Sequence, residues 1–362
     1  MNLPKITGKY SVGTCVVTTK DESRDKYITY RIYYPVRQGD TAGCKKDELM
    51  SRAVMRGMSK EFFVKINYDK KTASGENTSE FFLDAPHVPD EKFPLVLFNH
   101  GFKSYKEGNS FLCAEIASQG YVVISIGHEG VALAETRTDG TEIYYDKALT
   151  KKTMHPLIPY AVSAYKCMKM KGTPEECYEK FDELRKKYCM GMLDVIYDCS
   201  ESTLFVLAEA RRQYADFIDF SKGVAATGHS LGGAIAYYLC QTSPEITCGL
   251  NIDGGLFGEY KGMTMTKPFF QICSEDNFSV ETKPMLDKTA PAYYATFLKI
   301  KHIGFADCKF YINVASMTGK IPADVMHENL CMCHLKFLDK YLKGKEGEID
   351  IKDGEYLKYA VY

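Results

Sequence analysis

Residues 226–233 have the sequence Ala226-Thr227-Gly228-His229-Ser230-Leu231-Gly232-Gly233, and this stretch decides the fold. A short run of small and β-branched residues, 223–225, precedes it, and an apolar run with helical propensity, 234–239, follows it. This order predicts a strand, a tight turn and a helix. The glycines on either side of Ser230 leave room at a turn where the strand and the helix would otherwise collide.

The pattern Gly-x-Ser-x-Gly between a strand and a helix is typical of the nucleophile elbow of α/β-hydrolases. In such a turn the Leu231 N–H lies at the N-terminus of the helix and points to the position where an oxyanion forms. The sequence therefore predicts Ser230 as a nucleophile and Leu231 as an oxyanion-hole donor. The alternative is a glycine-rich loop that only packs a helix on a sheet.

Composition indicates a globular protein and excludes some classes of function. The 362 residues are 45% hydrophobic and 26% charged, as is usual for globular proteins. The formal net charge of −1 gives no electrostatic case for nucleic-acid binding. No apolar run approaches transmembrane length, and residues 1–5 lack the apolar core of a signal peptide. We therefore expect a cytoplasmic protein with reduced thiols, and the alternative is a secreted protein that has lost its leader.

The thirteen cysteines are scattered and have no repeated metal-ligand spacing. Cys331, Cys333 and His334 come nearest to a metal motif, but they fall in a predicted helix over 326–342 and lack a fourth ligand. We interpret them as core residues. The sequence gives no reason to expect a metal or another cofactor.

The rest of the chain alternates between strand and helix patterns. Alternating residues at 12–19 and 27–34 predict a hairpin, and continuous apolar runs predict buried strands at 93–98, 121–126, 247–252 and 268–273, with a last strand at 294–300. We expect one α/β-hydrolase domain over 1–362, with a mostly parallel central sheet flanked by helices. Helical patterns at 175–189 and 193–213 lie in an insertion, 127–215, that we interpret as a helical cap.

Two segments between the hairpin and the first buried strand are less regular. Apolar residues recur about every four positions from Glu48 to Phe63, which predicts a helix that covers the core. A lid or a lipid-touching face is the alternative, because the segment is rich in methionine and phenylalanine. Residues 67–90 are polar and contain glycine and proline, so we predict a loop there.

Two further stretches supply a predicted oxyanion donor and a predicted base. Asn99-His100-Gly101-Phe102 follows a buried strand, where α/β-hydrolases build the other half of the oxyanion hole, and the Phe102 N–H is the candidate donor. Of the eight histidines, His302 is the best placed as the base, because it follows the last predicted strand.

The residues alone leave the identity of the catalytic acid open. Triad order in this fold is serine, acid, histidine. Asp253 follows the strand directly after the elbow, whereas Glu275 and Asp276 follow the next strand, the commoner place.

The chain resembles the platelet-activating factor acetylhydrolase family, the plasma and type II kind. The resemblance rests on Gly8–Gly13, Arg31–Pro35, Phe93–Gly101, Ala117–Tyr121, Gly228–Gly233, Cys248–Asp253 and His302-Ile303-Gly304-Phe305-Ala306-Asp307. In that family the acid lies on the strand directly after the elbow, so the resemblance implies Asp253.

The chain also departs from the family pattern. Gly254 and Gly255 stand where large side chains are common, Leu231 where phenylalanine is common, and Ile303-Gly304 where polar residues are common. These differences predict a roomier pocket floor and leave the acyl preference open.

The motif and the resemblance together imply a serine esterase that cleaves short acyl esters through Ser230, His302 and Asp253. A small-molecule ester or a phospholipid with a short sn-2 acyl group would be the substrate, and the resemblance allows a transient contact with a lipid surface. A broad carboxylesterase or polyester hydrolase is the alternative within enzymes. A binding protein on an inactive hydrolase scaffold is the alternative outside them, and the intact Ser230 and His302 argue against it.

Overall fold

The computed structural model describes residues 3–63, 65–277, 280–312 and 314–362. The chain divides into two compact units. The described residues of the N-terminal unit lie within 3–145 and 202–222, and those of the C-terminal unit lie within 146–201 and 223–362. The single domain with a cap over 127–215 stays a prediction.

The N-terminal unit contains a sheet with the strand order β5-β6-β2-β1-β4-β3. Its strands are β1 (Ser11–Asp21), β2 (Lys26–Val36), β3 (Lys46–Glu48), β4 (Thr78–Leu83), β5 (Leu95–Asn99) and β6 (Val122–Ile126). β1 and β2 form the predicted antiparallel hairpin, and β5 and β6 run parallel. Every residue of β5 and β6 is buried, which explains their continuous apolar sequence. A separate hairpin joins β7 (Ala134–Thr136) to β8 (Glu142–Tyr144).

The helices of this unit correct two predictions. They are α1 (Arg52–Glu61), α2 (Tyr68–Ala73) and α3 (Ser110–Ser118). The helix predicted from Glu48 begins later, because the Ser51 side chain caps it by accepting the Val54 N–H and because Glu48 ends β3. The loop predicted over 67–90 is wrong, since this segment contains α2 and β4.

The sheet of the C-terminal unit has the strand order β13-β12-β11-β10-β9. Its strands are β9 (Val224–His229), β10 (Cys248–Ile252), β11 (Phe269–Ser274), β12 (Ala292–Phe297) and β13 (Leu357–Val361). β9 to β12 run parallel, and β13 pairs antiparallel with β12 at the edge. The strand predicted at 294–300 is therefore not the last one.

The remaining helices precede, separate or follow these strands along the chain. They are α4 (Lys147–Thr153), α5 (Leu157–Met168), α6 (Pro174–Tyr188), α7 (Met190–Gln213), α8 (Leu231–Thr242), α9 (Cys308–Tyr311), α10 (Ala315–Thr318) and α11 (Ala323–Tyr341). The residues of α7 from Ser202 onward belong to the N-terminal unit. Among the described residues, no helix is both long and apolar enough to span a membrane.

The start of α6 shows how the sequence defines one of these helices. The Thr173 hydroxyl accepts the Glu176 N–H, and the Glu176 carboxylate accepts the Thr173 N–H. Pro174 occupies the first helical position, where its missing N–H costs nothing. The helix predicted over 175–189 is confirmed, and it begins at Pro174.

Candidate active site

Ser230 lies in the turn between β9 and α8 with a strained backbone. Its φ is 58° and its ψ is −119°, a region that costs a residue with a side chain about 1–3 kcal/mol. Such strain persists only where the surrounding structure enforces it, and here the Ser230 N–H donates to the carbonyl of Ile252 at 2.8 Å. The turn is the sharp strand-to-helix bend that the glycine pattern predicts.

Two glycines allow the elbow to pack closely. A Cβ atom at Gly233 would lie 1.7 Å from Asn251 Oδ1, and one at Gly254 would lie 2.1 Å from the Ser230 carbonyl oxygen. A Cβ at Gly255 would meet the Phe257 ring at 2.9 Å. Gly254 therefore serves the packing of the elbow, and the ring of Phe257 occupies the space beside Gly255.

Three of the predicted side chains meet beyond the ends of the parallel strands. The Nε2 atom of His302 lies 2.9 Å from Ser230 Oγ, and its Nδ1 atom lies 2.7 Å from Asp253 Oδ2. Since a carboxylate can only accept, Nδ1 carries the proton, and the unprotonated Nε2 accepts from the Ser230 hydroxyl. The imidazole therefore joins the serine to the carboxylate in one chain of hydrogen bonds.

Asp253 is buried and is held by donors besides His302. The Ser274 N–H donates to Oδ1 at 2.5 Å, while the Ser274 hydroxyl at 3.2 Å and the Asn277 amide at 2.8 Å donate to Oδ2. Burial alone would raise the pKa of Asp253, but the hydrogen bond and charge of His302 and the bonds from Ser274 outweigh it. The pKa of Asp253 therefore lies below its ordinary value, and the carboxylate is ionised at neutral pH.

The other two candidate acids contact lysines. Asp276 pairs with Lys301 at 2.5 Å and with Lys169 at 3.1 Å. Glu275 accepts the backbone N–H of Lys299 at 3.1 Å. The carboxylate that contacts His302 is that of Asp253.

Two residues that sequence reasoning missed also contact the imidazole. The Asn277 amide nitrogen lies 3.3 Å from His302 Nδ1 while it donates to Asp253. His229 packs against the His302 ring at 4.9 Å between centroids, and its Nε2–H donates to the His302 carbonyl at 3.0 Å. Burial and the charge of His302 lower the pKa of His229 to about 3, so it is a neutral support. The sequence signal that could have identified His229 is its position directly before Ser230.

The two predicted oxyanion donors lie on different units. Leu231 is the first residue of α8, so its N–H has no partner within the helix and lies at the positive end of the helix dipole. Phe102 follows β5 in the N-terminal unit, with its ring edge-on to Tyr145 at 5.5 Å. The roles of both N–H groups stay predictions.

The peptide that carries the Phe102 N–H is oriented from its other end. Nδ1–H of His100 donates to the Gly101 carbonyl at 2.8 Å, and His100 Nε2 accepts the His128 N–H at 3.2 Å. Burial lowers the pKa of His100 to about 4, so His100 keeps this neutral form. Because the peptide is planar, fixing the Gly101 carbonyl also fixes the direction of the Phe102 N–H.

Comparison with known proteins identifies the family. The family model described as platelet-activating factor acetylhydrolase, isoform II, matches residues 1–350. The chain belongs to this family. It is 24% identical to the platelet-activating factor acetylhydrolase of Cavia porcellus over 361 residues, which cover 94% of this chain and 78% of that protein. The enzyme of the same name from Canis lupus familiaris is also 24% identical, with coverage of 94% and 77%.

A solved structure agrees on the fold. The ferulic acid esterase from Streptomyces cinnamoneus superposes with a TM-score of 0.65 at 15% identity, over 98% of this chain and 96% of that one. At this identity the likeness concerns the fold, which is that of α/β-hydrolases. The predicted family and the predicted fold class are both confirmed.

In this family member, a buried amide network supports the turn that carries Asp253. Asn251 Oδ1 accepts the Gly254 N–H at 2.8 Å, and its amide donates to the Gly254 carbonyl at 2.7 Å and to Gln271 Oε1 at 2.9 Å. Gln271 in turn donates to Glu281 at 2.9 Å. Burial and the charge of Asp253 raise the pKa of Glu281 well above its ordinary value. The network therefore connects the turn to Gln271 and Glu281 through buried hydrogen bonds.

The cysteine-histidine motif on α11 lies in the core, as predicted. Cys331, Cys333 and His334 are buried. His334 Nδ1–H donates to the Leu330 carbonyl at 2.8 Å, and its Nε2 atom lies 3.2 Å from the Thr227 hydroxyl. Within the described ranges, no group of three or more histidine, cysteine, aspartate or glutamate side chains could hold a metal ion.

Proposed function

We propose that the chain is a serine esterase that hydrolyses short acyl esters, with phospholipids that carry a short sn-2 acyl group as its substrate class. The observation that carries the proposal is the His302 imidazole, 2.9 Å from Ser230 Oγ and 2.7 Å from Asp253 Oδ2. Family membership identifies the chain as an ester-cleaving hydrolase, and relatives named platelet-activating factor acetylhydrolase support an acetyl ester as substrate.

The first half of the reaction acylates the enzyme. Ser230 Oγ attacks the ester carbonyl while His302 Nε2 takes the hydroxyl proton, so that a tetrahedral oxyanion and an imidazolium form together. When the carbon–oxygen bond to the alcohol breaks, His302 returns the proton to the leaving oxygen. The acyl group remains on Ser230 as an ester.

The second half repeats these steps with water. His302 takes a proton from the attacking water, and it gives this proton to Ser230 Oγ as the second tetrahedral intermediate collapses, so that the acid is released and Ser230 is regenerated. Asp253 holds the imidazole in the required tautomer and stabilises the imidazolium, because it stays ionised in a buried position. The Leu231 and Phe102 N–H groups would bind the oxyanion.

Active-site labelling separates this proposal from a binding protein on an inactive scaffold. A fluorophosphonate probe should label the wild-type chain, and Ser230→Ala should prevent the labelling. Absence of labelling in a folded wild-type chain would contradict the proposal.

A substrate series tests the acyl and alcohol preferences. On p-nitrophenyl esters we expect kcat/KM to fall beyond medium acyl chains, and we expect a phospholipid with an acetyl group at sn-2 to be cleaved faster than its long-chain counterpart. A maximum with long chains would favour a lipase. Equal rates for simple esters and the short-chain phospholipid would favour a broad carboxylesterase.

A further inference from the structure

Five buried charged side chains form a cluster in the N-terminal unit, beside the loop that follows β5. They come from three strands and from the loop itself: Arg31 on β2, Asp47 on β3, Glu135 on β7, and Lys106 and Glu107 in the loop. We call these five residues the charge cluster, and we call residues 101–109 the oxyanion loop, because Phe102 lies in it. Charged side chains are rarely buried unless they are paired, so the pairing determines which elements the cluster connects.

Lys106 lies at the centre of this pairing. Its Nζ atom contacts Glu135 Oε1 and lies 3.0 Å from Glu107 Oε1. The same Glu107 oxygen lies 3.3 Å from Arg31 Nη2, and Arg31 Nη1 contacts Asp47 Oδ2. The ion pairs therefore connect the oxyanion loop to two strands of the sheet and to β7.

Hydrogen bonds carry this anchoring along the oxyanion loop to the peptide that contains the Phe102 N–H. The Lys106 carbonyl accepts the Ser125 hydroxyl of β6 at 2.7 Å. Two residues before Lys106, the Ser104 N–H donates to the Gly101 carbonyl at 2.9 Å. Because the peptide is planar, a shift of the loop that moves this carbonyl also turns the Phe102 N–H.

The charge cluster contains more negative than positive groups, since three carboxylates pair with two cations. Burial raises the pKa of Glu135 to about 7 against the charge of Lys106, and the charge of Glu107 adds to this rise. In the part of the chain that the structure describes, Glu135 Oε2 has no hydrogen-bond partner. The ordinary pKa of this group is 4.5, so its ionisation lowers the free energy of unfolding as the pH rises from about 4.5 through 7.

The charged groups that act on Glu135 come from the oxyanion loop and, through Glu107, from β2 and β3. Across the hairpin, β8 places the uncharged Ile143 opposite Glu135, and α1 packs against this segment at Gly57. Burial lowers the pKa of Lys106, but the charges of Glu107 and Glu135 outweigh it and hold that pKa above its ordinary value. Lys106 therefore stays a cation while Glu135 changes its protonation.

A buried carboxylate that lowers stability at neutral pH is not explained by stability. Replacement of a buried ion pair by uncharged groups of the same shape is often neutral or stabilising. The chain nevertheless leaves room for this carboxylate, because a Cβ atom at Gly127 would lie 2.0 Å from Glu135 Oε2. What the ionised Glu135 does provide is a fixed position for Lys106, and with it for the oxyanion loop.

We propose that Glu135 is a positioning residue, which fixes the oxyanion loop through Lys106 and thereby holds the Phe102 N–H in the direction that an oxyanion requires. This inference rests on the proposed function, in which the Phe102 N–H binds the oxyanion. Glu135 touches neither the substrate nor the triad in this role.

The variant Glu135→Gln separates positioning from stability, because the amide has the shape of the protonated carboxyl group but cannot ionise. At about pH 8 the variant should unfold at a higher urea concentration than the wild type, since the destabilising ionisation is absent. Its kcat on p-nitrophenyl acetate at the same pH should be about tenfold lower at unchanged KM, which is part of the roughly hundredfold loss expected for a missing oxyanion donor. A merely structural role would change stability and activity in the same direction.

The ratio of wild-type kcat to Glu135→Gln kcat gives a second readout. Below about pH 6 the wild-type Glu135 is protonated and resembles glutamine, so the ratio should approach one. As the pH rises through about 7, Glu135 ionises and the ratio should increase to its value at about pH 8. Both proteins contain His302, so the titration of the base cancels in the ratio. A ratio that stays the same across this range would refute the proposal.

Glu142→Gln is the matched control. Glu142 lies on β8 of the same hairpin and pairs with Arg56 at 3.0 Å, outside the charge cluster. This variant should have the wild-type kcat at every pH. Unchanged kcat in Glu135→Gln at about pH 8, or an equal loss in Glu142→Gln, would overturn the proposal. So would a higher KM at unchanged kcat in Glu135→Gln, since that result would indicate an effect on substrate binding.

Amide hydrogen exchange tests the oxyanion loop without an assay of activity. At about pH 8, amides of residues 101–109 should exchange faster in Glu135→Gln than in the wild type, while those of α8 should exchange at the same rate. Equal exchange of the loop in the two proteins would refute the anchoring. Faster exchange in the variant, together with a wild-type chain that lacks esterase activity, would support the anchoring and refute only the proposed function.

Discussion

Replacement of Asp253 by asparagine is the sharpest test of the proposed triad, because the structure leaves the new amide no satisfactory orientation. If its NH₂ group takes the place of Oδ2, it faces three donors, His302 Nδ1–H, the Asn277 amide and the Ser274 hydroxyl. If the NH₂ group takes the place of Oδ1, it faces the Ser274 N–H. In the first orientation His302 relieves the clash only by moving its proton to Nε2, where it can no longer accept from Ser230.

The size of the expected effect follows from these contacts. A buried donor without an acceptor costs about 1–3 kcal/mol, so Asp253→Asn should lower the free energy of unfolding by that amount and still fold. The activity loss should be far larger. In a serine protease the same replacement, with its wrong tautomer, lowers kcat by roughly 10⁴, and we expect a loss of roughly 10³–10⁴ here.

Steady-state kinetics with p-nitrophenyl acetate, alongside urea unfolding, measures both quantities. Glu275→Gln and Asp276→Asn are the matched controls, and both should retain most of the wild-type kcat, because their carboxylates contact lysines and a backbone N–H of the neighbouring loop. Ser230→Ala and His302→Ala should fall to a floor similar to that of Asp253→Asn, since triad members act as a unit. Near-normal activity in Asp253→Asn together with an inactive Asp276→Asn would refute the assignment.

Four further outcomes are expected. Chelators should leave esterase activity unchanged, and loss of activity that one divalent ion restores would show a metal role. Gly254→Ala should cost about 1–3 kcal/mol in urea unfolding and lower kcat, because its Cβ would lie 2.1 Å from the carbonyl of the nucleophile, whereas Gly354→Ala, with open space around it, should be neutral. His100→Ala should lower kcat at unchanged KM, by up to roughly the hundredfold of a lost oxyanion donor, and His100→Gln should retain more. Burial lowers the pKa of His334 from 6.5 to about 4, so stability that is complete above pH 6.5 is lost as the pH falls toward 4. Urea unfolding measures the free energy of unfolding at pH 7 and at pH 5. Between these two pH values we expect that free energy to fall by about 2 kcal/mol less in His334→Gln than in the wild type.

Much of the fold could be predicted because its signals are local. The buried strands β5, β6, β10 and β11 have continuous apolar sequences, and the capping box of α6 is contained in four residues. β13 was missed because a short edge strand is defined by its partner, here β12, more than by its own pattern. The loop predicted over 67–90 failed for a similar reason, since β4 is a strand only through its pairing with β1 and β3.

The residues of the candidate site also differ in whether a local sequence signal identifies them. Ser230 carries a motif, and His302 follows a strand, so both were accessible from the sequence. The amides of Asn251 on β10 and of Asn277 in the loop after β11 were not, because their hydrogen-bond partners are 3 to 25 residues away in the chain. Their function depends on distances that no periodicity encodes.

The sequence alone left two segments open as the source of the catalytic acid, the end of β10 and the loop after β11. In the proposed site these two segments have complementary functions. A buried carboxylate would take up a proton unless donors besides the imidazole compensate for its desolvation. The end of β10 supplies the carboxylate of Asp253, and the loop after β11 supplies these donors through Ser274 and Asn277. Glu275 and Asp276, which lie between these two donors, are turned to lysines and a backbone N–H instead. The loop after β11 thus supplies donors to the proposed catalytic acid without containing that acid.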